Sequence, residues 1–265
     1  MTPDRGFELA RPASGLVRVL AVWKRFRRVY FKFLLANMIP PVLEPLFFIL
    51  GLGVGLSAYL GLVDGVEYAV FLAPGMMAIS PMWSASFETT YGTYMRMEYE
   101  HIYDAILASP VSFGEMMLGE TLWVSSKAAA FSLVVVGVTA LFGLVHSWWA
   151  LLVPVAGFVT GAIYALMGII VTSKVREINN FNFYMTGVLT PQFYFCGAVF
   201  PLEQLPPLLR SVCYVLPLTH VVELMRSFCL ADFHSGLWIN VVVCLAWAAV
   251  LWPLAERLLR RRIVV

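Results

Sequence analysis

Six stretches of this chain are long and apolar enough to cross a lipid bilayer, which leaves little room for any other architecture. A bilayer-crossing helix needs about 20 consecutive, mostly apolar residues. The stretches cover 33–60, 68–87, 115–142, 148–172, 181–200 and 237–254. The interval 201–236 is also apolar, but Pro201, Pro206, Pro207 and Pro217 break it. It reads as a re-entrant hairpin dipping into one leaflet, where its irregular backbone must be covered by protein. The expected fold class is an all-α polytopic membrane protein forming a single transmembrane domain. It has six transmembrane helices, an N-terminal amphipathic interface helix within 1–32, and a short, broken extracytoplasmic hairpin between helices 5 and 6.

Composition excludes the alternatives. Apolar residues make up 60% of the 265 positions and charged residues 13%, with a mean hydropathy of +0.81. Soluble domains carry about 45–50% apolar and about 25% charged residues, and a chain of this size cannot hide so much apolar surface in a soluble core. A cytosolic enzyme, a disordered chain and a disulfide scaffold are thereby ruled out. The start, Met1 to Pro12, is polar and has no short apolar core with a cleavage site, so insertion is expected to rely on the spans themselves.

Orientation follows from Lys and Arg beside the spans. Arg5, Arg11, Arg18, Lys24, Arg25, Arg27, Arg28 and Lys32 precede the first span, and Arg257, Arg260, Arg261 and Arg262 follow the last. Arg96, Lys174 and Arg176 fall in the connections on the same side, giving fifteen against Arg210 and Arg226 opposite. Both termini are therefore expected in the cytoplasm of a bacterium, with the chain multi-pass in the inner membrane. From Leu16, the apolar positions Leu16, Val19, Leu20, Trp23, Phe26 and Tyr30 recur at helical steps among arginines. Such a helix suits the cytoplasmic headgroup plane and its membrane lipids. Its aromatic anchors and the adjoining span argue against nucleic acid.

Catalytic machinery is missing from the pattern. Gly114 to Thr121, GEMMLGET, has the glycine spacing of a phosphate-binding loop but Glu120 where the lysine must stand. The four His (His101, His146, His220, His234) are scattered, so no metal site is expected. Cys196, Cys213, Cys229 and Cys244 form no C-x-x-C pair and read as small hydrophobes, with a Cys213–Cys229 bridge left open. No catalytic residue and no cofactor is expected on this chain. Its energy must come from a gradient or from another subunit.

The connection over 91–114 is the most informative soluble piece. Met97, Tyr99, Ile102, Tyr103, Ile106 and Leu107 give it an apolar side, while Glu98, Glu100 and Asp104 make it acidic. Ser109–Pro110 stops the helix. Anionic lipid would repel such a helix, and its Tyr and Met favour a protein partner.

Four strings carry a family resemblance: FETTYGTYMRM from Phe87, LGETLW from Leu118, CGAVFPLEQLP from Cys196 and LPLTHVVELMR from Leu216. With the order of elements above, the chain resembles the transmembrane subunit of type-2 ABC exporters. Within them it is similar to the NodJ-like permeases of nodulation-factor (lipooligosaccharide) exporters. The resemblance implies a homodimer with two copies of a separate ABC ATPase, which holds ATP and Mg. It also implies an amphiphilic, lipid-linked substrate. It makes Met95 to Ala108 the coupling helix, with Met97, Glu98, Tyr99, Glu100, His101, Tyr103 and Asp104 as its ATPase-docking residues. The rivals are a drug or polysaccharide exporter of the same class and a gradient-driven carrier using intramembrane carboxylates.

Ionisable groups inside spans are costly and point to function. Glu44, Glu88, Glu120 and Lys127 qualify, and a Glu44–Lys127 pair would offset both burial costs. Glycines Gly51 to Gly55 in the first span, and Gly157, Gly161 and Gly168 in the fourth, permit close helix contact. In the hairpin, His220, Glu223 and Arg226 follow one another at three-residue steps, as if to pair, gate or meet cargo.

Overall fold

A computed structural model describes residues 14–263, apart from the side chains of 35–38, 40–42 and 58. Arg5 and Arg11, and the side chains of Pro40 and Pro41, lie outside the described residues. Nearly everything described is helical. Helix α1 (Gly15–Lys32) is followed by α2 (Leu34–Phe48), a wider π-type turn (Ile49–Val54) and α3 (Gly55–Leu60). A two-stranded hairpin, β1 (Leu62–Val63) with β2 (Val66–Glu67), leads into α4 (Tyr68–Phe87). Helical turns continue α4 as far as Tyr99. Then come α5 (Ile102–Leu107), α6 (Phe113–Leu141) and α7 (Val153–Lys174). Two short helices, α8 (Phe181–Tyr184) and α9 (Thr190–Phe195), follow with a π-type turn between them. The chain closes with α10 (Pro207–Cys213), α11 (Pro217–Leu230) and α12 (Leu237–Ile263).

Among the described residues, four helices are long and apolar enough to cross a membrane: Tyr68–Tyr99, Phe113–Leu141, Trp148–Lys174 and Leu237–Ile263. The pair α10–α11, bent by 83°, makes up to five if it counts as one broken span. The chain is an all-α polytopic membrane protein with a separate N-terminal helix. The bend falls where Pro217, lacking a backbone donor, opens α11 at a position that needs none.

Helix α4 is the axis of the molecule: every residue except Trp83 and Phe87 is buried. Pro74 and Pro81 sit inside it, tolerated because neighbouring helices pack on every side. Glycines set the distances around it. A Cβ on Gly161 would stand 2.5 Å from the Ala128 Cβ, one on Gly157 2.2 Å from the Ser132 hydroxyl, and one on Gly168 2.0 Å from the Thr89 hydroxyl. The small face of α7 is thus consumed by packing on α6 and on the end of α4. Gly51 and Gly55 have open space beside them.

Helix α1 lies against α6 through Val19, Val22 and Phe26, with Val22 over Gly119. The packed stripe is rotated from the one read in the sequence, because Leu16 and Leu20 are exposed. An Arg18–Glu115 ion pair of 2.6 Å holds the start of α1 to the start of α6. Glu115 also closes a capping box with Ser112, satisfying two orphan donors at the start of α6. All four cysteines are buried and unbridged, which settles the Cys213–Cys229 question.

Candidate functional site

Three of the four intramembrane charges, Glu88, Glu120 and Lys127, meet at the basic end, where α1, the end of α4 and the end of α12 gather. They form a ladder of alternating sign. Lys127 of α6 donates to Glu88 Oε2 at 2.7 Å. Glu88 Oε1 accepts from Arg96 Nη1 at 2.8 Å, and Arg96 Nη2 donates to Glu120 Oε1 at 2.8 Å. Glu120, fully buried, also accepts from the Thr93 hydroxyl at 2.7 Å. The Tyr103 hydroxyl stands 2.7 and 2.6 Å from its two oxygens. Two carboxylates therefore face two cations, and each attraction offsets a desolvation cost that would be prohibitive alone.

The pair expected between Glu44 and Lys127 is corrected. Lys127 is taken by Glu88, and Glu44 lies exposed on α2 with no ion pair among the described residues. Position along a span is readable from hydropathy, whereas the direction a side chain faces depends on which helices pack together.

The ladder ends in the connection between α4 and α6. Tyr103, read as a docking residue, is buried on α5 and tied to Glu120 instead. Burial, and then the Glu120 carboxylate, push its phenol far above the usual tyrosine range, so it remains a donor. The single amphipathic helix expected here is broken at His101, whose φ of 49° is left-handed. Tyr99, Glu100, His101 and Asp104 are exposed around that break, with His101 and Asp104 3.3 Å apart. Met97 packs inward against the core. Glu98 accepts from Arg262 Nη2 at 2.7 Å. Arg262 also donates to the carbonyls of Thr172 and Val175, so the end of α12 caps α7 and holds the connection at once.

Sequence reasoning missed Arg96, Thr93 and Arg262 as members of this site. Charge balance could have found Arg96, since Glu88, Glu120 and Lys127 alone leave one carboxylate unmatched and Arg96 is the nearest cation along the chain. Arg262 carried no signal beyond belonging to a basic tail.

At the opposite end a cavity of about 330 Å³ is lined by Asp64, Glu203, Glu223, Asp232, Arg226 and His234, among others. The trio His220, Glu223 and Arg226 does not pair internally. His220 bonds Asn240 at 2.7 Å and the Tyr214 carbonyl at 2.8 Å, and Glu223 meets His234 at 3.2 Å. Arg226 donates to the Gly197 carbonyl at 2.8 Å and stacks 4.0 Å over Phe71. No group of His, Cys, Asp and Glu among the described residues could hold a metal ion.

A ladder of paired charges and an exposed turn thus stand at one end of a helical bundle, and a helix pair bent by 83° at the other. The sequence matches the ABC-2 type transporter family over residues 17–230. The chain belongs to the ABC-2 type transporter family. It is 36% identical over 255 residues to nodulation protein J of Rhizobium leguminosarum bv. viciae, covering 96% of this chain and 97% of that protein. To nodulation protein J of Rhizobium meliloti (strain 1021) it is 38% identical over 259 residues, with 96% and 97% covered. It is 19% identical over 247 residues to the inner membrane transport permease YadH of Escherichia coli (strain K12), covering 91% and 95%. As an ABC-2 permease subunit this chain is a transport component rather than an enzyme, and ATP hydrolysis belongs to the ATPase side of such a transporter.

Proposed function

We propose that this chain is the permease of an ABC exporter that moves an amphiphilic, lipooligosaccharide-like molecule out of the cytoplasm across the bacterial inner membrane. Its likeness to nodulation protein J over nearly the whole length supports the substrate class. In this reading the basic end faces the cytoplasm with both termini, six spans cross the membrane, and 201–236 dips in from outside. The spans are those at 33–60, 68–87, 115–142, 148–172, 181–200 and 237–254. Two copies assemble through the open glycines Gly51 and Gly55, where no described residue approaches within 4 Å. Two ATPase subunits dock beneath them.

The observation that carries the proposal is the exposed turn Tyr99–Asp104 hung on the buried Tyr103–Glu120 bond. A partner pressing on that turn pushes, through Tyr103, Glu120, Arg96 and Glu88, on both α4 and α6. The connection over 91–114 is then the coupling segment. The paired state of Glu88 and Glu120 disfavours a proton-coupled carrier, which needs carboxylates free to exchange protons.

The test is affinity capture of the tagged chain from gently solubilised native membranes, beside a variant carrying Tyr99→Ala and Asp104→Lys. An ABC ATPase should co-purify with the wild type and be reduced at least about tenfold with the variant. Equal recovery from both, or none from the wild type, would remove the docking role of the turn.

A further inference from the structure

A second cavity, of about 240 Å³, lies at the basic end between α1 and the continuation of α4. It shares Glu88, Arg96 and Glu100 with the coupling scheme above, and its lining is chemically unfinished. Arg25 projects from α1 into this wall and makes no hydrogen bond or ion pair among the described residues, resting only 5.5 Å over the Phe26 ring. Two other lining residues carry a buried polar atom without a partner: the Tyr30 hydroxyl and Arg96 Nε. All three are donors. Burial, and then the charge of Arg96, push the Arg25 pKa below its ordinary value, and the attraction of Glu100 offsets this only in part. Burial, and then Glu88, raise the Tyr30 phenol to about 12, so its hydroxyl keeps its proton to donate.

The same cavity also holds an unmatched acceptor. Glu100 is exposed on its lining and has no ion pair among the described residues, although Arg25 shares the space. The remaining charges cancel: Glu88 and Glu120 are satisfied by Lys127 and Arg96. What is left over is one cation and one anion, Arg25 and Glu100, which attract each other without forming an ion pair. A purely anionic ligand would serve Arg25 and meet repulsion from Glu100. A neutral one would serve neither. A ligand with a phosphate at one side and an ammonium at the other serves both.

The volume fits such a group, with room for about eight water-sized units at roughly 30 Å³ each. Two exposed apolar lining residues tell a lipid from a free metabolite. Val29 and Phe33 line the cavity, are 50% and 64% exposed, and stand where α1 turns into α2. Apolar side chains at that edge offer acyl chains a place to lie while the headgroup enters.

We propose that this cavity binds the zwitterionic, ammonium-and-phosphate headgroup of a lipid from the leaflet against which α1 lies. The phosphate oxygens accept from Arg25 and Tyr30, and the ammonium donates to Glu100. This inference rests on α1 lying at the membrane surface, as in the function proposed above. A bound lipid then bridges α1 to the root of the coupling turn.

The test uses the purified full chain in detergent, without any ATPase, and reads bound lipid by native mass spectrometry. Phosphatidylethanolamine, phosphatidylglycerol and soluble O-phosphoethanolamine are titrated in turn. Phosphatidylethanolamine should saturate at one molecule per chain and outcompete phosphatidylglycerol. Arg25→Gln should weaken it about tenfold, and Glu100→Gln should abolish the preference over phosphatidylglycerol. If Arg25→Gln fails to fold, as judged by its melting curve, Tyr30→Phe takes its place with a smaller loss of about threefold. Equal or better binding of phosphatidylglycerol by the wild type, or unchanged affinity in the folded variants, overturns the proposal. Binding of O-phosphoethanolamine as tight as that of the lipid overturns the membrane source. Because no ATPase is present, a failed capture experiment leaves this result standing, and the converse holds.

Discussion

The two polar ends of the molecule handle charge in opposite ways. At the basic end, Lys127, Glu88, Arg96 and Glu120 are packed into one ladder in which each link is 2.8 Å or shorter. At the other end, Asp64, Glu203, Glu223 and Asp232 surround a cavity and lean on a few partly exposed partners. A close-linked, buried ladder transmits displacement with little give, because every link is short and desolvated. Longer, partly exposed pairs such as those of Glu203 and Glu223 constrain their surroundings less. In the function proposed above, the first end transmits force and the second accommodates.

That contrast breaks most readily at Glu120. Glu120→Ala deprives Arg96 of one carboxylate and Tyr103 of its acceptor, and should cost about 3–5 kcal/mol of stability, as for other disrupted buried pairs. Thermal unfolding in detergent would read this as a large drop in melting temperature, and a drop no larger than that of a variant in the opposite cavity would erase the distinction. Tyr103→Phe is the gentler cut. It removes only the donor and should cost about 1–3 kcal/mol.

The pH dependence of that difference has a definite sign. The Tyr103 phenol is held protonated in the fold, with a pKa raised above the unfolded value of about 10. Its contribution is complete below pH about 10 and is lost as the pH climbs toward the folded value. The gap between wild type and Tyr103→Phe should therefore be flat near neutrality and narrow only in strong alkali. Narrowing below about pH 9 would mean the hydroxyl is not buried. The smallest effect belongs to the opposite end: Glu223→Gln loosens a partly exposed contact with His234 and should change stability by about 0.5 kcal/mol or less.

Much of this was legible in the chain because a bilayer imposes a length rule. The apolar runs at 68–87 and 237–254 fold as helices α4 (Tyr68–Phe87) and α12 (Leu237–Ile263), and the prolines of 201–236 mark the 83° bend. The run at 33–60 is helical too, yet it is divided by a π-type turn at Ile49–Val54 that no periodicity announces. Side-chain pairing was the illegible part. Hydropathy ranks Glu44 and Glu88 alike, and only the packing of α4 on α6 selects Glu88 for Lys127. Tyr103 looked like a surface aromatic among acidic neighbours, and the left-handed turn at His101 is what rotates it inward.

The ladder has a consequence for how the protein is made. Lys127 near the middle of α6 adds roughly 2.5–3.5 kcal/mol to the cost of inserting that helix alone, and the buried carboxylate of Glu120 raises it further. Both charges find their partners on the segment synthesised just before, at Glu88 and Arg96. Helix α6 is thus a poor passenger by itself and a good one in the company of α4. Its entry into the bilayer is conditional on a neighbour already waiting there, so the two are expected to leave the insertion machinery as a unit.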